Sequence, residues 1–202
     1  KPALGFVPIG LHTNQKTGAD FAKTTQVKSA VAYDKAKAKK LFEAGMKEAG
    51  QSQLNLTLLA DDADVSKQVA EYLQGAFEDL PNVKVTIKSI PKAQRLQAMM
   101  SGNYDMVVTG WQSIFADAYN FLDVWISNSS YNTSGYKDAK LDQLLSETET
   151  KYGNEPQKRW TMLQDAEKIL MKDQGTLPLY QANNLELLRS SVKGVSFNPN
   201  GT

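Results

Sequence analysis

Between Leu54 and Thr109 the chain switches back and forth between two periodicities, and this alternation restricts the fold more than any other feature. Leu54, Leu56 and Leu58 alternate with Gln53, Asn55 and Thr57, the period of a strand, and the helical spacing of Val65 to Glu78 follows. Val83, Val85 and Ile87 then alternate with Lys84, Thr86 and Lys88 as a half-exposed strand, and Pro91 opens a short helix through Arg95, Leu96 and Met99. Gly102-Asn103 turns the chain into the apolar strand Met106 to Thr109. A βαβαβ order whose connections run to a dozen residues or more requires parallel strands joined by right-handed crossovers, so the fold class is α/β. Asp61-Asp62-Ala63-Asp64 has the acid density of a calcium loop without its Gly and terminal Glu, and fits the acidic start of a helix.

Upstream, Asp34 caps a helix in which Ala38, Leu41, Phe42, Gly45, Met46 and Ala49 recur at helical spacing, and Gly50 ends it. Lys35, Lys37, Lys39 and Lys40 lie on the other face, where Lys39 meets Glu43 at i+4, as expected of a solvated face. Downstream, helices are expected over about Asn120 to Ile126, Asp138 to Tyr152 and Glu155 to Lys172. Pro156 sits in the first turn of the last one, and Trp160, Leu163, Ala166, Ile169 and Leu170 form its core stripe. Thr176 to Ala182 and Leu185 to Ser190 read as two final strands turned by Asn183-Asn184. Residues 1–30 carry Pro2 and Pro8 and no sustained period, and read as an extended lead-in. Two hundred and two residues suffice for a core without disulfides, and one compact unit is the default.

Lys plus Arg total 23 against 22 for Asp plus Glu, which leaves no electrostatic footprint for nucleic acid or an anionic membrane. The absence of cysteine removes disulfides, thiolate metal sites and cysteine nucleophiles. No apolar run approaches the roughly 20 residues of a membrane span. The opening Lys1-Pro2-Ala3-Leu4-Gly5 carries neither signal segment nor initiator Met, so the chain reads as a processed product or an excised piece. His12, the one histidine, has no acidic residue or motif serine beside it in sequence, Gly102, Gly110 and Gly135 stand alone, and the pairs Asp61/Asp62 and Glu147/Glu149 lie at helix-surface spacing. Neither an enzyme nor a cofactor is expected.

What remains is the end of the last strand. In an open parallel sheet ligands gather outside the carboxyl ends of strands, where Gly110-Trp111-Gln112 falls. Glycine lets another backbone approach, and tryptophan offers a stiff apolar wall with one donor. The alternative is that Trp111, Phe115, Tyr119, Phe121 and Trp125 form a core cluster beneath a loop.

Five stretches, in order, carry a resemblance: Lys1 to Leu11 (KPALGFVPIGL), Tyr33 to Leu41 (YDKAKAKKL), Gly102 to Trp111 (GNYDMVVTGW) continuing to Leu122, Asn128 to Leu145 (NSSYNTSGYKDAKLDQLL), and Arg159 to Tyr180 ending LPLY. Together they resemble the C-terminal lobe of the oligopeptide- and dipeptide-binding proteins, the extracytoplasmic solute receptors of ABC importers. The resemblance implies a periplasmic-binding-protein-like lobe with a mixed, mostly parallel sheet flanked by helices. It implies residues 1–30 as lead-in, 31–193 as the peptide-binding lobe, and 194–202 as a segment returning to an N-terminal lobe. The partners implied are a peptide and the importer's permease subunits, on a monomeric receptor that is periplasmic or lipid-anchored at the bacterial surface. A lone lobe would carry half of the binding surface and bind correspondingly weakly.

The resemblance places Gly110, Trp111, Gln112, Ile114, Phe115 and Asp117 beside the ligand, with main-chain groups at 110–112 pairing with a peptide by strand addition. Relatives that grip a free peptide amine usually carry an aspartate three residues after the tryptophan and an acidic-Pro pair beyond it. This chain has Ile114 and Asp117-Ala118 there. Three expectations follow: an apolar, blocked or register-shifted peptide N-terminus against Ile114; Asp117 as a relocated carboxylate; or Ile114 packed inward with Asp117 capping the next helix. Two other functions stay open, a receptor for a pheromone-like hydrophobic signal peptide and a metal or haem receptor on the same scaffold.

Overall fold

The computed structural model describes residues 1–182 and 187–196, which form two compact units. One is Tyr33–Gly110; the other combines Lys1–Ala32 with the chain from Trp111 onward. The single unit expected from length is thus divided, with the first segment contributing to the same unit as the last.

The Tyr33–Gly110 unit is the βαβαβ pattern. It comprises helix α2 (Lys35–Glu48; α1 lies upstream), strand β1 (Leu54–Asp61), α3 (Asp64–Glu78), β2 (Val83–Ile90), α4 (Lys92–Met100) and β3 (Met106–Val107). The three strands are parallel in the order β2-β1-β3. β1 pairs with β2 along its whole length, Leu54 opposite Val83 through Asp61 opposite Ile90, but with β3 only at Leu58–Met106 and Leu59–Val107. The last strand is therefore shorter than Met106 to Thr109, although Val108 still donates to the Leu59 carbonyl at 2.9 Å. Period-2 alternation sends Leu58, Ala60 and Val85 to one face, where Ala70 of α3 closes a small core bordered by Leu73, Phe77 and Met106. Asp34 caps α2 by accepting from the Lys37 amide, as its position predicts. The apolar stripe of α2 is not buried: Phe42 and Met46 are half-covered and Leu41 is 62 % exposed.

In the other unit, α1 (Phe21–Thr25), α5 (Tyr119–Leu122), α6 (Ala139–Thr150) and α7 (Pro156–Asp173) surround a core of Val7, Leu11, Phe21, Phe121, Leu122, Leu141, Leu145, Leu163 and Leu170. The lead-in read as extended thus supplies three core residues and a short helix capped by Asp20. A 3-10 turn, Asp123–Trp125, continues α5 where one longer helix was expected. The strand expected over 176–182 is reduced to one antiparallel bridge between Pro2 and Tyr180, and residues 187–190 form no strand. The turn at 183–184 lies outside the described residues. None of the described helices is long and apolar enough to cross a membrane.

Candidate functional site

The chain leaves β3 under firm control. Arg95, 3 % exposed on α4, donates from Nε to Asp61 Oδ1 at 2.8 Å and from Nη1 to Thr109 Oγ1 at 2.8 Å. It thereby ties the carboxyl end of β1 to the residue just before Gly110. The acid at Asp61 serves this pair rather than the start of α3, whose N-cap residue is Ala63. Gly110 is exposed, and a Cβ added there would meet nothing within 4 Å. No packing demand of the fold accounts for glycine at this position. Among the described residues, neither Gly110 nor Trp111 makes a main-chain hydrogen bond within the chain.

Beyond Gly110, one buried side chain organises the segment. Asn120, at the start of α5 and 7 % exposed, accepts on Oδ1 from the Ser113 hydroxyl at 2.9 Å and from the Ile114 amide at 3.0 Å. Its carbonyl accepts from the Trp111 indole Nε1 at 2.7 Å. The Ser113 hydroxyl also contacts the Phe115 carbonyl. With Ser113 turned inward, Ile114 and Phe115 are held outward, 78 % and 46 % exposed. The aromatic cluster divides accordingly. Phe121 is core, Trp111, Tyr119 and Trp125 pack against the core from its edge, and Phe115 faces solvent.

Asp117 is engaged within its own unit. Oδ1 accepts from the Tyr119 amide at 2.8 Å, and Oδ2 accepts from Arg159 Nη1 at 2.7 Å. Arg159 also donates to Glu149 Oε1 at 2.8 Å, which joins α6, α7 and the loop in one ion network. His12 Nδ1 lies 3.8 Å from Asp117 Oδ1 and accepts from the Ala118 amide at 3.1 Å, so this nitrogen carries no proton. Burial lowers the His12 pKa, partly opposed by Asp117 and assisted by Arg159. The acid that the sequence does not place beside His12 is supplied through space by Asp117. An open cleft of about 620 Å³ lies nearby, lined by residues including Tyr119, Ile126, Asp142, Ser146 and Glu149, but none of residues 110–117 borders it. Among the described residues, no three His, Asp or Glu side chains are grouped to hold a metal ion.

Of the six residues expected beside a ligand, Gly110, Gln112, Ile114 and Phe115 are exposed, Trp111 is half-buried, and Asp117 is paired inward. Sequence reasoning missed Asn120, Arg159 and Tyr131, whose ring meets Trp111 edge-on at 5.1 Å. The first two act across 6 to 42 residues of chain, and no local pattern marks such partners.

The sequence pattern of the bacterial extracellular solute-binding proteins, family 5 Middle, matches residues 1–133. A dipeptide-binding protein of Lactococcus lactis subsp. cremoris is 33 % identical over 202 residues, covering 98 % of this chain and 36 % of its own. A crystal structure of a peptide ABC transporter, peptide-binding protein, superposes with a TM-score of 0.83 at 37 % identity, over 88 % of this chain and 78 % of that one. The structure of Listeria monocytogenes OppA bound to peptide gives 0.80 at 29 % identity, over 90 % of this chain and 34 % of that one. The chain spans about a third of the length of the curated relatives it matches. With the parallel sheet and these likenesses in agreement, the chain belongs to the bacterial extracellular solute-binding proteins of family 5.

Proposed function

We propose that this chain takes part in binding an extended peptide outside the cytoplasm, for delivery to the permease subunits of an ABC importer, and that it binds without catalysing. The observation that carries this reading is that Gly110 is exposed and that, among the described residues, the main chain of Gly110 and Trp111 just beyond β3 has no hydrogen-bond partner. Such groups pair with a guest strand whatever its side chains, which suits a receptor of broad specificity. Ile114 and Phe115 offer the guest apolar surface, and the side chain of Gln112 borders the same stretch. Asp117, occupied by Arg159, is not available to an ammonium group, and a buried ammonium left unpaired would cost several kcal/mol. The peptide's N-terminal end is therefore read as apolar surface against Ile114, or as lying in a register that keeps its amine in water.

Mass spectrometry of ligand extracted from the complete protein tests the function. A mixture of short peptides is expected, one defined hydrophobic peptide would assign a signalling receptor instead, and a non-peptide ligand would overturn the reading. Calorimetry with one peptide, free and N-acetylated, tests the role of Ile114. Affinities within about threefold are expected. A tenfold or larger preference for the free amine, lost in Asp117→Asn, would show that Asp117 leaves Arg159 to hold it.

A further inference from the structure

We infer that Trp111 and Tyr131 form a preorganised aromatic corner that selects peptides carrying an aromatic side chain beside the main chain of 110–111, which makes Tyr131 a specificity residue. This rests on the peptide-binding reading above and names the ligand class within it. Tyr131 is 66 % exposed, yet its ring is fixed against Trp111 at a centroid distance of 5.1 Å and an interplanar angle of 65°. Hydrogen bonds tie the loop that carries it. Asn132 Nδ2 donates to the carbonyls of Tyr136 at 2.7 Å and Ile126 at 3.3 Å, the Thr133 amide donates to the Tyr131 carbonyl at 2.9 Å, and the Ser129 amide donates to the Ile126 carbonyl at 2.9 Å. A loop closed in this way restricts the backbone that carries the ring, and tyrosine has few torsions to lose on binding.

The chemistry offered is that of the rings. The Trp111 indole N–H is occupied by the Asn120 carbonyl, so it cannot choose a guest by hydrogen bonding. The two rings meet edge-on at 65°, the kind of geometry in which aromatic quadrupoles attract, and a third aromatic group beside them would gain contacts of the same kind. Because Trp111 also carries main chain proposed to pair with the peptide, a guest side chain projecting from the adjoining peptide residue meets this corner directly.

Calorimetric titration of the complete protein tests the inference, using a peptide series in which a single Phe is moved through an otherwise alanine sequence, so that no register is assumed. One Phe position is expected to bind about tenfold more tightly than the all-alanine peptide. This ratio is expected to collapse to within about twofold in Tyr131→Ala and to survive in Tyr131→Phe, because the ring and not the hydroxyl makes the contact. A merely structural loop would weaken both peptides alike and leave the ratio intact, which overturns the inference while the peptide reading stands. A wild type indifferent to Phe at every position overturns it equally. Failure of the wild type to bind any member of the series removes the peptide reading and this inference with it.

Discussion

Glu167 lies inside α7 with 2 % of its surface exposed, and its Oε1 accepts from the amides of Phe6 at 2.8 Å and Val7 at 3.2 Å. Oε2 is buried with no partner among the described residues. Burial pushes this carboxyl up to about 7 against the pull of the two amides. The folded form therefore holds a proton that the unfolded chain releases near 4.5, so the contribution of Glu167 to stability is complete below that pH and is lost as pH rises through about 7. On the order of 3 kcal/mol is at stake. Thermal unfolding between pH 5 and pH 8 is expected to show a fall in melting temperature of roughly 5–10 °C that is absent in Glu167→Gln. An identical pH profile in the variant would contradict this. Gly5 belongs to the same clasp, since a Cβ there would fall 2.1 Å from Glu167 Oε1. With that oxygen pinned by two amides, Gly5→Ala is expected to destabilise by about 2 kcal/mol, measured by denaturant titration.

At the scale of elements, the Asp61–Arg95–Thr109 link holds the ends of β1 and α4 to the short β3, which has only two paired residues of its own. Arg95→Ala removes the partner of a partly buried carboxylate and is expected to cost about 3 kcal/mol, with amide exchange accelerating first in Met106 to Thr109. Uniform acceleration across the sheet would mean that Arg95 supports the whole unit and not the strand end. The strands β1 and β2 were legible because period-2 alternation states both element type and buried face. The final strands were misread because alternation does not supply a partner. Pro178 lacks an N–H, and among the described residues the 176–182 main chain pairs with Lys1 to Ala3, through bonds such as Gln181 N to the Lys1 carbonyl at 2.8 Å, while the Gln181 side chain reaches Ile9. The stripe of α2 was legible as a face, but periodicity cannot say what covers it, and Leu41 stays in solvent. That Gly110 and Trp111 follow an apolar strand was legible in the sequence. The Asn120 hub and the Asp117–Arg159 pair were not, because they are created by the folding of distant segments.

Across the whole molecule, the unequal cores of the two units have a thermodynamic consequence. The described core of Tyr33–Gly110 contains Leu58, Ala60, Ala70 and Val85, two of them alanines, whereas the other unit buries Phe21, Phe121 and several leucines. Stability follows buried apolar area, so the βαβαβ unit is expected to be the weaker one. Scanning calorimetry should resolve two transitions, with Arg95→Ala lowering the first and Gly5→Ala the second. A single transition displaced equally by both substitutions would show that the units unfold as one.

The proposed peptide binding depends on Gly110 and Trp111 offering their main chain to a guest strand. Hydrogen exchange of the backbone amides of residues 110–112 in the complete protein, with and without saturating peptide, tests this most directly. Exchange at Trp111 or its neighbours is expected to slow by at least about tenfold when peptide binds. Peptide binding with unchanged exchange across these residues would contradict it.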